Sequence, residues 1–467
     1  MLNQAISLEL TLARRDVGLM LVVVLFALTL LVSVISGIGA DTAETRAFET
    51  AAARVQSEWV DQPPKNPHEA AHYGILIYRP RAPLQAIEPG VLPWQGAVTF
   101  LEAHKRNLPM LSPASVRNAD SRYGGTRFSP LLQLAGGFLA LLIGYLVGAR
   151  EARRGITPLV MGIGAKGSAL VSAKALVIFA VVGCAAIPAF VAAALSLDTG
   201  DAGARFALLA GTSLLHLFTL AGIGVAAGLW LGAARAGLAI VVLTWAASAI
   251  VFPRVADSLA ERAVPLTQKS INASISADFA KGPDGHAESE ANARFEKATL
   301  ARYGVAKKED LPVNLDALLM QADEDYRGAV QDRRIAEADA VRARQDQLRA
   351  LAWAFGPTPA MLDLSARIGS ADASAQYRFD AAGEAYRRER TAKLNYHMAE
   401  NSKTGDWDWK AESDWYAKFP AFAPPQLKVA DDWPGLVPGL AALLAWAVLA
   451  AALLALAARR LDQTVRA

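Results

Sequence analysis

Residues Val17–Ala40 read VGLMLVVVLFALTLLVSVISGIGA, an apolar run without a single charged side chain. A membrane-crossing helix needs about 20 such residues. The run is too long for the apolar core of a cleavable signal peptide, which spans about 7–15 residues. It is therefore expected to stay in the mature protein as its first span (17–40). Hydrocarbon offers no partner to backbone N–H and C=O groups, so each spanning segment must close its hydrogen bonds internally, as a helix does.

The same signature recurs downstream at Phe128–Ala149, Ala175–Leu197, Phe206–Ala234, Ala236–Pro253 and Trp433–Ala458. The predicted fold class is thus a polytopic α-helical membrane protein with six transmembrane helices. Composition agrees: the 467 residues are 53% hydrophobic and only 19% charged, where soluble domains sit nearer 25% charged. Cys184 is the single cysteine, so no intramolecular disulfide forms and any domain beyond the membrane must be held by packing.

Orientation follows from the short basic flanks. Arg14 and Arg15 precede the first span; Arg150, Arg153, Arg154, Lys166 and Lys174 separate the second from the third. Arg235 lies between the fourth and fifth, and Arg459, Arg460 and Arg466 follow the last. The loop Asp198–Arg205 carries Asp198 and Asp201 instead. All basic flanks share one side if both termini are cytoplasmic. Residues 150–174 and the tail 459–467 are then cytoplasmic.

Two long polar segments fall on the opposite side, which is the periplasm if the cell has two membranes. Residues 41–127 begin with a charged helical stretch and continue through strand-like Gly74–Tyr78 and Ala97–Phe100, predicting a small mixed α/β outer domain. Residues 254–432 read as a larger, mainly helical outer domain. In it Asp323–Phe355 and Ala371–Asn401 form an extended hairpin around the breaker Gly356-Pro357-Thr358-Pro359. Ahead of the first span, residues 1–16 read as an interfacial amphipathic helix. Asn3, Gln4, Ser7, Thr11 and Arg14 share one face and Leu2, Ile6, Leu10 and Ala13 the other, with Glu9 out of place.

Several motifs carry chemical possibilities. His68-Glu69-Ala70-Ala71-His72 has the spacing with which zinc proteases place two ligands on one helical face. Pro67 and Gly74 confine it to about two turns, and the next histidine, His104, lies beyond both strand-like stretches. His68 and His72 are therefore weak metal candidates, and a polar turn packed under the strands is the expectation. Gly162-Ile163-Gly164-Ala165-Lys166-Gly167-Ser168 has its lysine before rather than after the final glycine, so it is no phosphate-binding loop. Gly224, Gly228 and Gly232, with Gly144 and Gly148, repeat the small-xxx-small spacing that lets spans approach closely. His216, the ionisable group deepest in a span, should face the bundle interior, either bonded to Thr212 or another helix or lining a substrate path. Glu151, Arg153, Arg154 and Gly155, in a short charged stretch between spans, could dock a soluble motor by ion pairing.

The order of these parts resembles the ABC-2-type permeases of ATP-binding-cassette transporters, in a bacterial subgroup with two large periplasmic insertions. The phrases that carry the resemblance are Pro67–Gly74, Pro89-Gly90, Asp310–Asn314, Leu364–Ala366, Gly369–Asp372 and Glu384–Arg388. In the loop, Glu151, Arg154, Gly155 and Lys174 match the family's pattern, while its Thr-Leu is displaced to Thr157-Pro158-Leu159. The resemblance implies a non-enzymatic transport subunit without a cofactor of its own. ATP and Mg would be bound by two copies of a partner ATPase, beside a second permease of the same or a related chain. Membrane lipid and a periplasmic protein complete the expected partners, with no nucleic acid. An ATP-driven mechanotransmitter that moves no solute is the alternative, and a membrane metalloprotease the third reading.

Overall fold

A computed structural model describes residues 1–112, 127–154, 161–162, 164–197 and 200–464. Among the described residues, six helices are long and apolar enough to cross a membrane. They form a bundle with a polar, mostly helical body at one end.

Helix α1 (Leu2–Arg15) is followed at Asp16, whose carboxylate caps the next helix by accepting from Leu19 N at 3.0 Å. Helix α2 (Val17–Val60) contains the first apolar run but does not stop at its end. It continues unbroken to Val60, 44 residues in all, or roughly 66 Å of rod. Its last turns carry Trp59 into the core of the polar body.

A short helix α3 (Pro67–Tyr73) and the strands β1 (Ile75–Tyr78) and β2 (Val98–Leu101) follow. The strands pair antiparallel, Ile75 opposite Leu101 and Tyr78 opposite Val98. Both overlap the strand-like stretches Gly74–Tyr78 and Ala97–Phe100. Gly74 turns the chain from α3 into β1 with φ +59°, and a Cβ there would lie 2.5 Å from the Leu101 carbonyl oxygen.

The second apolar helix, α4, is built from Phe128–Leu131, a π-turn over Leu132–Gly136, and Gly137–Arg154. Helix α5 (Gly167–Leu195) begins eight residues earlier than the apolar count predicted, so Gly167–Lys174 are its first two turns and not loop. Helix α6 (Asp201–Leu231) stops at Gly232, which takes φ +64°. Helix α7 runs as Arg235–Ala246, a π-turn over Ala247–Val251, and Phe252–Ala263. The π-turn ends two residues before Pro253, consistent with the way a bulge accommodates a residue that cannot donate.

The second polar segment contains α8 (Gln268–Lys281), α9 (Glu288–Tyr303), α10 (Leu315–Arg349), a 3₁₀ segment (Ala350–Phe355), α11 (Pro357–Ile368), α12 (Ala373–Asn401) and α13 (Ser413–Tyr416). The last apolar helix is α14 (Val429–Thr464). Helices α10 and α12 pack together as the expected hairpin. Arg388 pairs with Asp332 at 2.6 Å, and buried Arg387 bridges Glu324 and Glu384 at 2.9 Å each.

Two features depart from the sequence reading. First, the two polar segments share one core rather than each having its own. Ala70, Ile75, Ile77 and Leu101 of the first pack with Phe379, Leu394, Tyr416 and Phe419 of the second. Second, Gly356–Pro359 does more than break a hairpin. It opens α11, whose Met361, Leu364 and Ile368 are fully buried in the same cluster as Leu132, Leu217 and Leu443 of the spans. Trp353, just before it, accepts from Trp446 Nε1 at 2.7 Å. Trp446 lies roughly 20 Å along α14 from Asp432. The chain thus dips deep into the bundle between α10 and α12.

Candidate functional site

Where the bundle meets the polar body, Arg205 is completely buried and fully engaged. Its Nε donates to Asp201 at 2.6 Å, Nη1 to the Ile368 carbonyl at 2.8 Å, and Nη2 to Asp432 at 2.8 Å and the Leu427 carbonyl at 3.0 Å. Asp432 also takes Arg378 at 2.9 Å and Ser370 at 2.8 Å. One guanidinium therefore ties α6, α11 and α14 together. A buried charge is tolerable only when paired and fully hydrogen-bonded, as this one is. Sequence reading passed over Arg205 as the edge of an acidic loop.

Inward from this junction runs a file of buried polar side chains. Ser129 and Gln133 stand one turn apart on α4, and Gln133 Nε2 donates to Ser129 Oγ at 2.6 Å. Ser365 of α11 donates to Gln133 Oε1 at 3.2 Å. Glu88 reaches the same cluster from the first polar segment; burial pushes its carboxyl up, against hydrogen bonds from Ser129 and Ser365. One turn further, Gly137 leaves room for His216, whose Cε1 would lie 2.8 Å from a Cβ there. His216 is fully buried, and its Nε2 lies 3.1 Å from Thr358 Oγ1 at the start of α11. Its partner is therefore another helix; Thr212 bonds back to the Leu208 carbonyl at 2.8 Å. The α4 π-turn lies within this file and the α7 π-turn reaches it at Gly356, whose Cβ would meet Ser248 Oγ at 2.4 Å. Such turns concentrate at functional positions.

At the other end of the bundle, the misplaced Glu9 finds its reason. It is buried, pairs with the fully buried Lys174 at the start of α5, and contacts Arg150 Nη2 of α4 at 3.4 Å. Helix α1 thus lies against α5 through Ala5, Glu9 and Ala13, with Ala5 packed on Leu170 and Ala173. Gly167 N donates to Asp462 of α14 at 2.8 Å, pinning the start of α5. Glu151, Arg153 and Arg154 belong to the last turn of α4. Their side chains, and Gly155 altogether, lie outside the described residues.

The glycine seam joins α4 to α6. A Cβ on Gly144 would lie 2.7 Å from the Ala221 carbonyl oxygen, and one on Gly148 2.5 Å from that of Val225. Conversely, Gly224 and Gly228 face the carbonyls of Leu141 and Tyr145 at 2.2 Å each. Gly232 ends α6 with a positive φ, and its carbonyl accepts from Tyr145 Oη of α4 at 2.9 Å.

The weak metal candidates acquire a third member. His68, His72 and His104 each offer a ligand atom, all within 4.8 Å of one another. The antiparallel pairing of β2 on β1 returns the chain beside α3, where Ala103 N donates to the Ala71 carbonyl at 3.1 Å. Burial, followed by its two histidine neighbours, lowers His68 to about 4, so it stands as neutral imidazole.

The fold and these contacts define a helical membrane protein, a bundle of apolar helices carrying a polar body. A family model described as a domain of unknown function (DUF3526) matches residues 269–423. That stretch covers α10, α11 and α12, including the segment that enters the bundle. No curated protein and no solved structure matches the chain.

Proposed function

We propose that this chain is the permease subunit of an ATP-driven transporter of the ABC-2 type. It would work in a bacterial inner membrane with both termini cytoplasmic, beside two copies of an ATP-hydrolysing subunit and a second permease. The observation that carries this reading is the buried Glu9–Lys174–Arg150 cluster. Arg150 and Lys174 bracket the segment that would receive the motor, and Glu9 fastens α1 to both. A push on that segment is felt at once by α1, α4 and α5, because separating a buried ion pair costs about 3–5 kcal/mol. The polar file ending at His216 and Thr358 supplies groups that a substrate could meet inside the bundle.

The unbroken α2 favours a second reading, an ATP-driven mechanotransmitter. A rod from the first span into the core of the polar body carries motion outward whether or not a solute crosses. One experiment addresses both. The chain is purified with its ATPase subunit, reconstituted in vesicles, and compared with a Glu151→Ala, Arg154→Ala variant. The coupling assignment requires the variant to lose most of the hydrolysis stimulated by the permease; equal hydrolysis would refute it. ATP consumption without vesicle solute uptake or loss would select the transmitter.

A further inference from the structure

The geometry points to a zinc site formed by His68, His72 and His104 on the polar body, a reading independent of the transport proposal. His68 and His72 sit one turn apart on α3, and their Nε2 atoms lie 3.2 Å apart. Two nitrogens bound at about 2.05 Å to one tetrahedral ion lie roughly 3.3 Å apart. The third ring closes on both, its centroid 5.7 Å from His68 and 5.1 Å from His72.

Two of the three ligands have supports of their own. Asn66 caps α3, accepting from His68 N at 2.8 Å, while its amide donates to the Trp407 and Trp409 carbonyls at 3.0 and 3.2 Å. His104 takes φ +63°, a left-handed conformation that a non-glycine residue adopts only where its surroundings enforce it. Glu324 of α10 does the enforcing, accepting from His104 N and lying 3.1 Å from His104 Nδ1. A carboxylate beside one imidazole nitrogen is the usual outer support of a metal-bound histidine, and it leaves Nε2 to ligate. Glu324 is itself held by Arg387 at 2.9 Å.

Three imidazoles whose ligand atoms lie within 4.8 Å of one another form a convergent donor set that a single cation can bridge. Three nitrogen ligands and an open position suit zinc. His72 is exposed, which gives the ion an entry path. Glu69, the acid of the H-E-x-x-H spacing, is exposed and stands outside the ligand group. The bound ion would fasten α3 to the β2 turn, and through Glu324 to α10.

The test uses the full-length protein in detergent with any affinity tag removed, stripped with a chelator and dialysed against Zn²⁺. About one zinc per chain is expected by elemental analysis, with His72→Ala and His104→Ala each weakening binding more than about 100-fold and Glu324→Gln about 10–100-fold. Circular dichroism checks that each variant is folded. Co²⁺ titrated into the unaltered protein provides a readout free of mutation, and intense visible bands of a tetrahedral site are expected. A weak octahedral spectrum, substoichiometric zinc, or a folded His104→Ala that binds as tightly as the parent would overturn the assignment.

Discussion

Replacing Gly224 by Ala adds one methyl group at the point where α4 and α6 lie closest. The new Cβ would stand 2.2 Å from the Leu141 carbonyl oxygen and 3.0 Å from its carbon, both backbone atoms. Ordinary contact begins near 3.4 Å, so the helices must part by about 1 Å or rotate, and neither can yield a flexible side chain instead. Overpacking of this kind costs about 1–3 kcal/mol, partly offset by the ~1 kcal/mol that Ala gains over Gly in a helix. Gly211 on the same helix supplies the control, because a Cβ there meets nothing within 4 Å. Gly211→Ala should be neutral or slightly stabilising. Thermal unfolding in a single detergent, followed by tryptophan fluorescence, compares the two. The reasoning fails if Gly224→Ala melts with Gly211→Ala; it gains support if Gly228→Ala, equally close at 2.2 Å to the Tyr145 carbonyl, falls with Gly224→Ala.

Three further outcomes are expected. Glu9→Gln removes the carboxylate that pairs with the buried Lys174, which should loosen α1 and expose a cysteine placed at Ala13 to labelling; unchanged labelling would count against the pair. Leu364→Ala, at a fully buried position among the apolar helices, should cost about 2–5 kcal/mol in detergent unfolding, whereas Leu362→Ala, half-buried on the same helix, should cost less. Burial raises the Asp380 carboxyl from 3.8 to about 6, despite the amide of Gln376 and nearby Arg106 and Arg79. Its folded form thus holds the proton more tightly than the unfolded chain. That contribution is full below about pH 4 and lost as pH climbs through about 6, so Asp380→Asn should gain about 1–2 kcal/mol at pH 7.5 and flatten the profile between. An unaltered pH profile would show that the carboxyl is better solvated than its surroundings indicate.

The spans were readable because the bilayer sets a length threshold that each apolar run meets on its own. The strands were readable for a similar reason, short apolar and β-branched runs bounded by turn residues. Glu9 was visible as an anomaly on an apolar face, but its partner is 165 residues away in the chain. Helix α11 shows the limit most clearly. Met361, Leu364 and Ile368 have helical spacing, yet twelve residues fall below any spanning length, so nothing local distinguishes a helix under a polar domain from one inserted among spans. The polar body divides in the same way, since two segments separated by four apolar helices share one apolar core that neither displays alone.

Taken by itself, the sequence determined which stretches are apolar and helical, where α3 begins, and that the glycines on α4 and α6 permit close approach. Tertiary structure decided that His104 joins His68 and His72, that Gly232 ends α6 and meets Tyr145 through its carbonyl, and that Thr358 rather than Thr212 meets His216. Hydropathy, capping and period act over a few residues and can be summed along the chain. Which distant groups meet is set by how whole helices and strands pack, and that is a property of the assembled fold alone.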